Sequence, residues 1–123
     1  MKKTVIVSSR PESNPYAVRA AMMLQQQEID FVPVGIQIES GKVAGQPVLD
    51  LQGKPALEGV DTLTLYMHPR FQKPWYDYLL SLHPKRIIFN PGTENQEFKT
   101  MAEKQGIECL EACTLVMLSI RDF

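Results

Sequence analysis

Two side chains in this 123-residue chain have the chemistry for proton or group transfer at a strand end. His68 follows an apolar, β-branched run and precedes Pro69, which puts it at a strand's carboxyl edge. A neutral imidazole there serves as general acid, general base or plain hydrogen-bond donor. Cys113 follows the last strand-like run, in Glu111-Ala112-Cys113-Thr114, and opens a short apolar segment. A thiol at a helix N-terminus becomes more acidic and more reactive, whereas the commoner fate of a cysteine is simple burial. Neither residue has a dyad partner that the sequence names, and nucleophilic catalysis needs one. Cys109 sits mid-strand as a core residue, and its spacing from Cys113 is not that of a redox pair. His83, before Pro84, reads as a favourable charge at a helix C-terminus. Only two histidines, far apart, give a metal site little support.

Two segments have the make-up of a ligand cradle. In Ser8-Ser9-Arg10-Pro11-Glu12-Ser13-Asn14-Pro15, the Ser8 and Ser9 hydroxyls, the loop amides and the Arg10 guanidinium suit a phosphate. The alternative is a solvated proline-rich loop that caps the first helix. The glycines of a dinucleotide fingerprint are missing, and Val7 stands where one would help. In Arg86–Glu94, the apolar run Ile87-Ile88-Phe89 is broken by Asn90, Pro91 and Gly92, and Thr93 and Glu94 look like a helix start. A strand's carboxyl end facing a helix N-terminus offers backbone N–H groups to a ligand.

The second strand argues about which cofactor. It ends Val34-Gly35-Ile36, without the carboxylate that takes the ribose hydroxyls of NAD, and Asp30 lies at its opposite end. Glu39 and Lys42 come later. A cation suits an additional phosphate better than free hydroxyls, which disfavours NAD and leaves phosphorylated adenosine ligands open. An ordinary solvated lysine is the competing reading.

The elements that must position these residues alternate. Strand-like runs occur at Lys3–Ser8, Phe31–Val34, Val48–Leu51, Thr62–Tyr66, Arg86–Phe89 and Ile107–Glu111. Helix-like runs occur at Tyr16–Gln27, with Val18, Ala21, Met22 and Gln25 on its inner face, and at Lys73–Leu82, with Pro74 in its first turn. A third spans Asn95–Gln105, with Phe98, Met101 and Ala102 inward and Gly106 as its stop. Gly41–Pro47 reads as a hairpin or loop, and Thr114–Leu118 as a short terminal segment. Trp75, Tyr76 and Tyr78 read as aromatics buried against the sheet. Alternation of this kind predicts an α/β, Rossmann-like, doubly wound and mostly parallel sheet of about five strands flanked by helices.

Length and composition fit a single domain over residues 1–123. A net charge of −1 gives no basic surface for nucleic acid, and no apolar run approaches membrane-spanning length. The start, MKKTVIVSS, echoes a signal peptide, but its apolar run of about five residues is too short for one. Two cysteines make no secreted framework, so the expected location is cytoplasmic.

In the order and spacing of FVPVG (Phe31–Gly35), KVAGQPV (Lys42–Val48), VDTLTLYMHP (Val60–Pro69), IIFNPGTEN (Ile87–Asn95) and EACTLVML (Glu111–Leu118), the chain resembles the small single-domain CoA-binding proteins. These are relatives of the CoA-binding domain of succinyl-CoA synthetase alpha subunit, and the resemblance runs almost end to end. It implies a Rossmann-like fold with coenzyme A or an acyl-CoA across the carboxyl edge of the sheet. Position by position, it puts Ser9 and Arg10 on the first phosphate loop and Gly35 and Lys42 near the adenosine phosphates. Met67 and His68 fall at the crevice, and Asn90, Pro91 and Gly92 on the facing turn. The departure is Val7-Ser8-Ser9, where relatives have Gly-Ala-Ser, so a side chain stands where backbone would approach the ligand. The leading expectation is a non-enzymatic module that senses or presents a CoA-type, small-molecule nucleotide ligand. The alternatives are an acyl- or phosphoryl-transfer enzyme using His68 or Cys113, and a degenerate nucleotide-binding fold kept for protein interaction or homodimer formation.

Overall fold

A computed structural model describes residues 3–123; Met1 and Lys2, the start of the leader-like stretch, lie outside the described residues. Strands β1 (Lys3–Val7), β2 (Asp30–Gly35), β5 (Leu49–Asp50), β6 (Val60–Leu65), β7 (Arg86–Phe89) and β8 (Glu108–Glu111) form one six-stranded sheet in the order β5-β2-β1-β6-β7-β8. All five pairings are parallel. The count exceeds the expected five because β5, only two residues long, adds to the edge against Val34 and Gly35. Strands β3 (Lys42–Val43) and β4 (Gln46–Pro47) make the separate hairpin expected between Gly41 and Pro47.

Side-chain alternation sends each strand's apolar residues to two layers. On one face Val5, Val7, Leu63, Leu65, Ile87 and Phe89 meet helices α2 (Tyr76–Ser81) and α3 (Gln96–Lys104). On the other, Ile6 and Phe31 meet α1 (Pro15–Gln26) and α4 (Thr114–Ser119). Helices on both faces make the sheet doubly wound.

Local chemistry fixes the helix ends. Asn14 caps α1 by accepting the N–H groups of Tyr16 and Ala17, and Pro15 fits the first turn, where a missing N–H costs nothing. The buried face of α1 is Ala17, Ala20, Ala21 and Leu24, rotated from the expected one, and Met22 is 55% exposed. Small alanines let the helix approach the sheet more closely than methionine would. The 3-10 turn Lys73–Trp75 replaces the first part of the expected Lys73–Leu82 helix, and another, Pro69–Phe71, precedes it. Pro69 opens one turn and Pro74 lies inside the other, and each withholds an N–H from a continuous helix. Tyr76 then stacks on Phe98, with ring centroids 4.6 Å apart, so this aromatic is core.

Candidate ligand-binding cleft

The chain runs outward from β1 through β2 to β5 and returns to β6 on the other side of β1. Loops leaving the carboxyl ends of β1 and β6 therefore diverge to opposite sides, and this reversal is where doubly wound sheets bind ligands. A cavity of about 520 Å³ opens there, lined in part by Ser8, Ser9, Arg10, Tyr16, Tyr66 and His68. A second compartment of about 280 Å³ adjoins it through Tyr16 and Tyr66 and is completed by Asn90, Pro91, Cys113 and Leu115. A roomier concavity, about 760 Å³, lies along the outer flank of α1 and takes no residue from a strand end, so the reversal point is the better ligand site.

The first loop is held rigidly over the end of β2. Ser9 carbonyl accepts the N–H groups of Ile36 (3.2 Å) and Gln37 (2.9 Å), while Arg10 carbonyl accepts those of Ser13 and Asn14. Glu12 then reaches the loop after β2. Its carboxylate accepts the backbone N–H groups of Glu39 (2.8 Å), Ser40 and Gly41 (2.8 Å) and the Ser40 hydroxyl (2.6 Å). The Ser40 hydroxyl, followed by the Glu39 amide, holds the Glu12 carboxyl down to about 2. Glu39 in turn accepts the Ser13 hydroxyl at 2.9 Å, so it is committed to this loop contact.

Several residues expected at the ligand have other duties. Gly35 is buried beneath the first loop, where a Cβ would fall 2.9 Å from the Ser8 carbonyl oxygen and against the Pro11 ring. Its lack of a side chain seats the loop instead of a phosphate. Met67 is 1% exposed in the core, and what it presents is its carbonyl, which accepts Gln72 Nε2 at 2.8 Å. Val7 is fully buried in the core layer with Val34 and Leu65, so its side chain packs inside the protein. Lys42 is exposed on the β3–β4 hairpin and lines neither compartment.

The turn after β7 differs from the expectation of free backbone donors. Thr93 N–H and its hydroxyl both go to the Asn90 carbonyl, and Gly92 N–H goes to Glu94 Oε1 at 2.8 Å. Helix α3 begins only after Asn95, whose side chain accepts Phe98 N–H. Gly92, at φ +90°, takes a conformation that other residues adopt only under strain. Asn90 is 2% exposed, and both its amide hydrogens are used, on Thr64 Oγ1 (2.7 Å) and the Leu65 carbonyl (2.8 Å). Its oxygen accepts Thr114 N–H at 2.9 Å. Asn90 thus ties β6, β7 and the start of α4 together behind the second compartment.

His68 is exposed and caps the turn Pro69–Phe71, its Nδ1 accepting Arg70 N–H at 3.2 Å. That bond leaves Nε2 to carry the ring proton. His68 lines the first compartment and Cys113 the second, so the two open onto different parts of the cleft. Cys109 is half-buried against the edge of the core, not inside it as expected, and that burial pushes its thiol up to about 11.

Three contributors escaped the sequence reading. Gln72, 1% exposed, donates to the carbonyls of Met67 and Thr93 and accepts from Asn95, joining the loops after β6 and β7. Glu12 staples the loops after β1 and β2. Tyr66 directly follows β6, its N–H bonded to the Val7 carbonyl at 2.8 Å, and shares both compartments. No spacing rule marks a lone Gln, Glu or Tyr for such work.

A family model described as a CoA binding domain matches residues 2–119. The chain belongs to the CoA-binding domain family. A crystal structure of an uncharacterised protein is 48% identical, covers 100% of this chain and 98% of its own, and superposes with a TM-score of 0.90. A Thermus thermophilus protein is 22% identical over 98% of this chain and 90% of its own, with a TM-score of 0.81, and shows the same fold. A stretch of 101 residues is 29% identical to cap-specific mRNA (nucleoside-2'-O-)-methyltransferase 1 of Bos taurus. That match takes in 82% of this chain but spans only 12% of the methyltransferase. Of the residues that the sequence offered for a site, Ser8, Ser9, Arg10, His68, Asn90, Pro91 and Cys113 line the reversal-point cleft. No helix among the described residues is long and apolar enough to cross a membrane.

Proposed function

We propose that the protein binds coenzyme A or an acyl-CoA in the cleft between the β1 and β6 loops and holds it without transforming it. The observation that carries this reading is the cleft's two-part character in a chain of the CoA-binding domain family. One end has the half-buried Ser9 hydroxyl and the exposed Arg10 guanidinium, which suit a diphosphate, while Ser8 is buried at its base. The other is a smaller compartment walled mainly by apolar surface, which suits the thiol end of pantetheine. Glu39, the carboxylate nearest in sequence to the end of β2, is engaged by Ser13, which supports CoA over NAD. The placement of His68 and Cys113 in different compartments supports holding over catalysis, and a sensing or presenting role is part of the same proposal.

A thermal-shift panel of CoA, acetyl-CoA, ATP and NADH tests the reading. CoA species raise the unfolding temperature in a concentration-dependent way and NADH does not. Stabilisation by NADH with none by CoA overturns it.

A further inference from the structure

The resemblance puts the adenosine phosphates near Gly35 and Lys42, and the fold closes that position. The Pro11 ring lies over Gly35, and Lys42 lines neither compartment. The N–H groups of Ile36 and Gln37 go to the Ser9 carbonyl, and those of Glu39, Ser40 and Gly41 to the Glu12 carboxylate. The loop after β2 is thus left with few donors for a ligand. A CoA whose diphosphate meets Ser9 and Arg10 must seat its adenosine elsewhere. At about 520 Å³ the first compartment has room for more than a diphosphate.

Two exposed aromatic rings belong to that compartment's lining. They are Tyr16, 64% exposed, and Phe71, 49% exposed. The other large apolar side chains exposed among the described residues, Met22, Val116 and Ile120, line neither compartment. Apolar side chains scattered singly over a surface are ordinary, but these two aromatics share one cleft. Tyr16 comes from the first turn of α1 and Phe71 from the turn after β6, so each of the two diverging loops leads to one ring.

Each ring is anchored at its base and left open. Tyr16 N–H is held by Asn14 Oδ1 at 3.0 Å, and the adjoining Ala17 is buried. Phe71 N–H goes to the His68 carbonyl at 2.9 Å. The Arg70 guanidinium lies 5.1 Å from the Phe71 ring centroid, and the His68 ring meets it edge-on at 6.2 Å. These contacts steady the ring while half of the residue stays in solvent. Aromatics placed in advance stack a nucleobase at little cost in ordering.

We infer that the adenine ring of the bound ligand stacks on Tyr16 and Phe71 in the first compartment, and not at the end of β2. The inference rests on the CoA reading above and adds the seat of the ligand's adenosine end.

Titration calorimetry of the wild type, Tyr16→Ala and Phe71→Ala with CoA, ADP and phosphopantetheine, which lacks the adenosine, tests this. Each substitution weakens CoA and ADP about ten-fold, the scale of one lost base–aromatic stack. Phe71→Ala leaves phosphopantetheine within about two-fold of the wild type. Both rings are exposed, so both variants fold. The wild type supplies an independent readout by nuclear magnetic resonance: Overhauser contacts join the Tyr16 and Phe71 ring protons to the adenine protons of bound CoA. CoA affinity unchanged in either variant, or a Phe71→Ala loss that phosphopantetheine shares, overturns the inference and leaves the CoA reading standing. So does the lack of those Overhauser contacts in wild-type protein that binds CoA. Absence of heat with CoA in the wild type removes the CoA reading and the inference with it.

Discussion

The Glu12 carboxylate accepts the Ser40 hydroxyl at 2.6 Å, clamping the loop after β1 to the loop after β2. The three consecutive amides of Glu39, Ser40 and Gly41 converge on the same carboxylate. Such a run of N–H groups is a general anion cradle, and here an internal anion fills it. One side chain thus sets the distance between two walls of the cleft.

This clamp has a defined pH signature. The folded-state pKa of Glu12 is about 2, below its ordinary 4.5, so the unfolded chain binds the proton more readily. Its contribution is therefore complete above pH 4.5 and disappears as pH falls from there towards 2. Unfolding temperatures of the wild type and Glu12→Gln should differ by a constant amount at neutral pH and converge on acidification. Curves that stay parallel down to pH 3 would contradict the clamp.

Gly35→Ala should destabilise the fold and displace the first loop. The added methyl would meet the Ser8 carbonyl and the Pro11 ring, both fixed by backbone, so the loop must lift. A loss of about 1–3 kcal/mol in urea unfolding is the expected scale for such overpacking. CoA affinity should fall with it, because Ser9 and Arg10 ride on the same loop. A stable Gly35→Ala protein with wild-type affinity would contradict this account of Gly35.

Much of the architecture is legible in the sequence because it rests on local periodicity and punctuation. The strand runs around Val5, Leu63 and Ile88, the cap at Asn14 and the stop at Gly106 all act through near neighbours. The resemblance through FVPVG, VDTLTLYMHP and IIFNPGTEN also leads to the right family. What stays hidden depends on residues distant in the chain. Gly35 looks like a phosphate glycine until Pro11 is seen lying over it. Asn90 looks like a ligand contact until Thr64, Leu65 and Thr114 are seen to occupy its amide. Val7 resembles an obstruction until its side chain is placed in the core. The inner face of α1 is misjudged by one position because alanines, not methionine, allow the closest approach to the sheet.

Asn90→Ala should cost about 1–3 kcal/mol of stability by leaving the Thr114 N–H buried without its partner. Chemical denaturation measures this directly. A change below about 0.5 kcal/mol, the range of ordinary surface substitutions, would show that the network has little weight.

The two cysteines should respond differently to a thiol alkylating reagent at pH 8. Cys109, with its thiol pushed up to about 11, should react slowly, and CoA should not alter its rate. Cys113 lines the second compartment, so bound CoA should shield it. Mass spectrometry of the alkylated chain reads both sites, and a Cys113 rate unaffected by saturating CoA would place the ligand elsewhere.

The central claim is that the cleft at the β1–β6 reversal binds CoA, and calorimetric titration of CoA into the wild-type chain and Arg10→Ala tests it most directly. The expected result is saturable binding by the wild type at one CoA per chain. Arg10→Ala should bind about ten-fold more weakly, since a charge-assisted contact to the diphosphate is lost. No heat with wild-type protein at millimolar CoA, or an Arg10→Ala affinity equal to the wild type's, would contradict it.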